Sequence, residues 1–412
     1  MNNSLSELVK SKNQIHQLAN DFGLDYYEMI YEIVPSDIMY ALSSYGMPYR
    51  FSHWSFGKKF DRQQKMRKLG LMKIYELVFN TNPCYAYLLE DNSLLENKLI
   101  IAHVLAHSDF FKNNFTFQST DKHMIHIMKR HAEIIQEYEK EYGEEIVEKT
   151  LDAALSIEEH IPILETLIKD SPHMDDWQRN IFKIVKLEIQ YFFPQIRTKI
   201  INEGWATYWH TRIMRELNID AKEILDYTKM HAGVVKANPT SLNPYLLGYK
   251  MFQRIEELYG IEKLFEVRSE CHDVSFIRQY FDEAVAERCN MYLYDSDYHD
   301  GTITTMDAEK IKNQLLKDLV NGGFPYIEAS FEEDGFHLYH AYEGRPLDVS
   351  QCEKVLHLLE PFIQQPVFLH TKNAIFQDIV YTLEKESFEF SFNQKFTASI
   401  TDDNQFNHTF FN

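Results

Sequence analysis

The sequence predicts a mainly α protein: a large multi-helix domain followed by a small C-terminal α+β domain. Three observations carry this expectation. Glycine and proline total only 14 and 12 of 412 residues, a composition that favours long regular elements. Apolar residues recur at helical spacing from the N-terminus to about Val320. After Gly322 and Gly323 the texture changes to short β-rich runs separated by turn residues.

Along the chain, residues 1–34 read as helix, with Leu5, Leu8, Ile15 and Leu18, then Tyr27, Ile30, Tyr31 and Val34, at helical spacing. Pro35 interrupts and a new helix starts near Ser36. Residues 43–60 form an aromatic, Gly-containing connection. Helices are then expected at 62–78, 91–111, 121–141, 143–156, 158–168, 174–190, 194–217, 220–232, 243–258, 261–268, 273–293 and 306–320. Pro194 suits the first turn of its helix, and Asn243-Pro244 opens another. No fixed-period repeat points to a solenoid. Strands are expected at 325–331, 335–342 and 366–370, with the turn EEDG joining the first two, and a helix at 348–363. The domains are therefore 1–322, helical, and 323–412, α+β with a partly loose polar tail.

Composition limits function. Asp and Glu number 62 against 42 Lys and Arg, a net charge of −20. That balance argues against broad nucleic-acid binding and against adhesion to anionic lipid, both of which need a cationic surface. The four cysteines, Cys84, Cys271, Cys289 and Cys352, form no CxxC pair. No apolar run has signal-peptide length or spans about 18 residues. The expectation is a reduced, cytoplasmic protein without a transmembrane span. No Walker loop, GxSxG or strand-linked GxGxxG is present, so ATP hydrolysis, α/β-hydrolase chemistry and dinucleotide binding are not indicated.

Two segments carry chemistry. In LLENKLIIAHVLAHSDFFKNN, His103 and His107 lie one turn apart on one helix face, the spacing of zinc-binding helices. The helix is apolar nearly all round and so buried. Two buried imidazoles need partners, because an unpaired buried polar group costs about 1–3 kcal/mol. A metal satisfies both, and so do carboxylates or backbone groups. In YFFPQIRTKIINEGWATYWHTRIMREL, Glu203 and His210 share a face two turns apart. Gly204 in mid-helix costs about 1 kcal/mol against alanine, which implies a backbone in close approach; the His103/His107 helix is the expected neighbour. A His-x-x-x-His helix plus a Glu from a second helix is the His₂Glu set of a catalytic zinc site. The competing reading is a buried pair of Glu203 with His210, Arg197 or Arg212. His123, His126 and His131 lie among charges and read as a solvated face. His231 reads as a helix-end histidine that could point into the same interior as Glu203, and His53 as part of an aromatic-packed loop.

HWSFGKKF (53–60), NTNPCYAYLLEDN (80–92), IAHVLAHSDFFKNN (101–114), NEGWATYWHTRIM (202–214), NPYLLGYKMF (243–252) and FIRQYF (276–281) together resemble the SpoVR family, the stage V sporulation protein R proteins, in order from about residue 20 to about 385. The resemblance implies a role in sporulation, in formation of the spore cortex, a modified peptidoglycan; relatives in bacteria that make no spores imply a broader biochemical role. It also implies partners, a serine-kinase-like protein and a von Willebrand-type protein encoded nearby. EGWA, Glu203 to Ala206, is similar to a stretch of certain helical zinc peptidases in which that Glu is the third ligand. Those enzymes use a His-Glu-x-x-His helix, whereas Val104 stands here in place of the general base. The expectation is a divalent transition metal, zinc first, on His103, His107 and Glu203, with His210 or Asp109 taking over acid–base work or orienting a ligand. If an enzyme, the protein would be a metal-dependent hydrolase acting on an amide bond. The alternative is a non-enzymatic assembly or regulatory factor that binds a partner protein and needs no cofactor.

Overall fold

The computed structural model describes residues 2–217, 219–238, 241–294, 303–373, 375–384 and 387–392. Their element order is α1 (Asn2–Asp21), β1 (Met29–Val34), α2 (Ser36–Tyr45), α3 (Trp54–Lys68), β2 (Glu76–Val78), β3 (Cys84–Leu89), α4 (Leu94–Asn113), α5 (Met124–Tyr142), α6 (Glu144–Ser156), α7 (Ile161–Asp170), α8 (Asp176–Arg197), α9 (Lys199–Glu216), α10 (Ala221–Val234), α11 (Pro244–Tyr259), α12 (Ile261–Glu270), α13 (Asp273–Tyr280), α14 (Glu283–Arg288), β4 (Leu293–Tyr294), β5 (Ile303–Thr305), α15 (Ala308–Leu319), β6 (Ile327–Glu332), β7 (Gly335–His340), α16 (Val349–Ile363), β8 (Val367–Lys372), β9 (Asp378–Glu384) and β10 (Ser387–Phe392). The large helical part and the small mixed C-terminal part are as the sequence predicts. No helix among the described residues is long and apolar enough to cross a membrane.

Two compact units form: 1–144 with 187–323, and 145–186 with 324–412. Residues 145–186, expected from the sequence in the helical domain, group instead with the C-terminal strands. In the second unit the sheet order is β10-β9-β8-β7-β6, with only β7 and β8 parallel. Helix α7 lies against β6, and the Thr166 hydroxyl donates to the Ala329 carbonyl. The polar tail from residue 393 lies outside the described residues.

The first unit departs from expectation at its N-terminal side. The helix expected over 1–34 ends at Asp21, because Gly23 takes a left-handed φ of 83°. Residues 29–34 then pair in parallel with β3, and β2 pairs antiparallel on the other side of β3. Ile30 and Val34, four apart, share a face in a strand as well as in a helix, so pairing decides. Helix α3 starts at Trp54, inside the expected connection, because the His53 side chain accepts from the Ser55 N–H and caps it. The helix expected over 273–293 is two, since Asp282 caps a new helix through the Val285 N–H.

Helices α4, α9 and α11 form the centre of this unit. Ser93 and Glu96 close a capping box on α4, whose buried stretch from Leu99 to Phe111 contains Val104, Leu105 and Phe110, all inaccessible to solvent. Pro194 lies in the last turn of α8, not at the start of α9. Helix α9 is instead held by a distant residue: the Asp273 carboxylate accepts from the N–H groups of Ile200 and Ile201 at 2.9 and 2.8 Å. The close approach implied by Gly204 is real, but its partner is α11 rather than α4. A Cβ on Gly204 would lie 2.4 Å from the Gly248 Cα, and one on Gly248 would lie 2.2 Å from the Ile200 carbonyl oxygen. Trp205, Trp209 and Phe252 fill the space beside this contact.

Candidate metal centre

The site is built by two helices held in register. Helix α4 presents His103 and His107 one turn apart, and α9 presents Asn202, Glu203 and His210. The three expected ligands converge. Glu203 Oε2 lies 3.3 Å from His107 Nε2 and 3.6 Å from His103 Nε2, and the two Nε2 atoms lie 3.1 Å apart. Ligands about 2.0–2.1 Å from a tetrahedral ion stand about 3.3 Å from one another, so this triangle has the size that such an ion needs. Glu203 Oε2 is buried and makes no well-aligned hydrogen bond, although its carboxylate faces His103, His107 and the Tyr245 phenol and the side chain as a whole keeps 19% exposure. The donor set, two imidazole nitrogens and one carboxylate oxygen, suits a divalent transition ion.

Proton placement sharpens the fit. Asn202 Oδ1 accepts, so His107 Nδ1, 2.8 Å away, carries a proton, and in the neutral ring Nε2 is a lone pair. His103 Nδ1 stands 3.0 Å from His210 Nδ1, and His210 Nε2 stands 3.3 Å from His231 Nδ1. This relay can run two ways. With protons directed outward, from His103 to His210 to His231, His103 Nε2 is a lone pair, and three acceptors face one centre. With protons directed inward, His103 Nε2–H donates to His107 Nε2 and the relay closes on itself, which leaves the Tyr245 phenol as the donor facing the Glu203 carboxylate.

Electrostatics agree with a site that concentrates negative potential. Burial alone would push the Glu203 carboxyl up, but the adjoining imidazoles, His107 foremost, hold it well below the usual carboxylate range. Burial lowers His107, and the Glu203 charge overrides it and raises the ring above its ordinary value. His210 is pushed well below its ordinary value, by burial first and then by the neighbouring imidazoles, and so is neutral.

Besides Asn202, sequence reasoning missed two neighbours. Glu76, on the short strand β2, interacts electrostatically with His103, Glu203 and His107, and burial raises its carboxyl. Tyr245, in the first turn of α11, stacks on His103 with ring centroids 6.1 Å apart; the Glu203 charge, then burial, raises its phenol. Neither carries a sequence signal, since a lone Glu in a three-residue strand matches no spacing rule.

Asp109, the other expected acid–base group, faces elsewhere. Its carboxylate accepts from Arg268 at 2.8 and 2.9 Å, from Trp205 Nε1 at 2.8 Å and from the Asp25 N–H at 2.7 Å. Burial, only partly offset by Arg268, lifts it to about 6. These bonds clamp α4 to α9 and α12. Arg212 pairs with Glu256 rather than with Glu203. His131 is no surface residue: it is buried and bonded to Glu188 at 3.0 Å, whose other oxygen holds Arg50 at 2.6 Å.

A second group that could coordinate a divalent metal lies on the β6–β7 hairpin: Glu332, Asp334 and His337. Its hydrogen bonds close without a cation. His337 Nε2 faces Asp334 Oδ1 at 2.9 Å and its Nδ1 faces His370 Nε2 at 3.0 Å, while Glu332 Oε1 accepts from Ser330 and Tyr339.

Comparison with known proteins covers the helices that carry the His₂Glu triangle. Residues 2–167 and 162–324 match the family described as SpoVR like protein. The chain belongs to that family. The uncharacterized protein YcgB of Escherichia coli (strain K12) is 32% identical over 318 residues, covering 60% of this chain and 62% of its own length. The SpoVR-like chain thus spans less than two thirds of that relative. No solved structure matches it.

Proposed function

We propose that this SpoVR-like protein holds a divalent transition ion, zinc first, on His103, His107 and Glu203, and uses it to hydrolyse an amide bond in a peptide or cell-wall precursor. One observation supports the reading above the others: a buried carboxylate oxygen that makes no well-aligned hydrogen bond stands at tetrahedral spacing from two imidazole nitrogens. When bound, such an ion polarises a carbonyl as a Lewis acid. Asn202 and His210 orient the two imidazoles. Glu76 is a carboxylate beside the triangle but outside it, and its raised pKa is the direction a proton acceptor near neutral pH needs. It offers what Val104 does not. Tyr245 stays protonated and can donate a hydrogen bond. The sporulation role, a cortex precursor or its regulator as target, a cytoplasmic location and the kinase-like and von Willebrand-type partners belong to the same proposal and rest on the family resemblance.

The test is metal content together with turnover. Wild type purified without chelator should carry near-stoichiometric metal that His107→Ala and Glu203→Gln lose while still melting cooperatively. Glu76→Gln should keep the metal and lose roughly 10²–10⁴-fold in hydrolysis of peptide or stem-peptide amides. A second reading has an observation of its own: with protons directed inward, the imidazole relay closes without an ion. Wild type that stays metal-free after reconstitution would favour that reading, a partner-binding assembly factor.

A further inference from the structure

The two proton directions of the relay are not equivalent for the triangle, and the residue that separates them is remote from it. A neutral imidazole at His210 has one N–H to give. If Nε2 carries it, the acceptor is His231 Nδ1 at 3.3 Å, and His210 Nδ1 is left to accept from His103. If Nδ1 carries it, His103 Nδ1 must accept, and the His103 proton moves to Nε2, into the triangle. A ring nitrogen that carries a proton cannot ligate.

We propose that His231, on α10, is a positioning residue for this centre: by accepting from His210 Nε2 it directs the relay outward and presents His103 Nε2 as a ligand lone pair. The surroundings of His231 suit an acceptor. Tyr227 stacks on it at 6.0 Å and Tyr249 meets it edge-on at 5.6 Å. Burial, with Arg215 and Lys250 nearby, lowers its pKa and keeps the ring neutral. The inference deepens the metal reading above and rests on it for its consequence, but the relay direction is a property of the metal-free chain.

The experiment uses the full-length protein with ¹⁵N-labelled histidine. Long-range proton–nitrogen spectra of the metal-free protein should show His103 protonated at Nδ1, and His210 and His231 at Nε2. His231→Phe, which offers no acceptor, should shift His103 to the Nε2–H form and weaken zinc binding about 10–100-fold, the range for loss of a group that orients a metal ligand. His231→Gln, whose amide oxygen can accept, should restore both to within a few-fold. The proposal is overturned if wild-type His103 carries its proton on Nε2, a result that needs no variant to fold. It is also overturned if His231→Phe folds and leaves the His103 tautomer and the zinc affinity unchanged. Wild type with His103 protonated at Nδ1 but no zinc uptake would support the relay direction and overturn the metal reading, so the two failures are distinct.

Discussion

At the scale of single residues, the centre is a set of groups whose protonation states depend on one another. The signs can be worked out for the metal-free protein. The Glu203 carboxyl is held below its unfolded value, so its contribution to stability is present above about pH 4.3 and fades as pH falls toward its folded value. The His107 ring is held above its unfolded value, so its contribution is full below about pH 6.5 and is lost as pH rises through its folded value. The pair therefore stabilises most between those limits. Melting temperature against pH, with chelator present, should fall on both sides of that window, and Glu203→Gln should flatten both flanks. A variant with the same profile as wild type would mean that the pair is not coupled. Of these residues, His103, His107 and Glu203 were legible in the sequence, because helical periodicity fixes which side chains share a face. Glu76 and Tyr245 were not, because they reach the centre by tertiary packing and no local spacing encodes that.

At the scale of elements, the register of α9 against its neighbours decides where Glu203 points. Two devices set it: the Gly204–Gly248 contact with α11, and the Asp273 carboxylate on the first turn. Gly204→Ala would put a methyl 2.4 Å from backbone that cannot rotate away. We expect a loss at or above about 3 kcal/mol, the upper end for overpacking, read as a lower denaturant midpoint. An unchanged midpoint would refute the contact. Asp273→Asn, which keeps one of the two acceptor oxygens, should cost less, about 0.5–1.5 kcal/mol for the one hydrogen bond lost. Burial lifts the Asp273 carboxyl to about 7, so its folded value lies above its unfolded one, and the wild type loses stability from this group as pH rises from about 4 to 7. The asparagine variant should lack that slope. The sequence announced that some backbone must approach Gly204 but not which, since a glycine records an absent side chain and not the identity of its neighbour. It missed β1, β2 and β3 for a related reason: their residues fit either period, and pairing between distant parts of the chain resolves the choice.

At the scale of the whole molecule, the family match ends at residue 324, where the helical unit ends, yet the chain divides at two further places, after residues 144 and 186. Residues 145–186 lie inside the matched stretch and fold with the strands beyond residue 324. In α7, Ile163, Leu164 and Leu167 are buried, and the helix packs on β6. Ser171 Oγ donates to the Phe362 carbonyl at 2.6 Å, and Phe182 meets the Phe362 ring at 5.2 Å. A boundary drawn from texture, such as the change after Gly323, finds where strands begin but not which earlier helices they cover. Truncation after Gly323 should therefore strip the partners from helices that the match includes. Fully burying a Leu, Ile or Phe contributes about 1.5–3 kcal/mol each, so exposing Ile163, Leu164, Leu167 and Phe182 would cost far more than a surface change. We expect the truncated chain to aggregate on size-exclusion chromatography or to be cleaved by protease within 145–186, while the first unit retains its cooperative melt. A monodisperse, protease-resistant truncated chain would show instead that 145–186 folds without the C-terminal sheet.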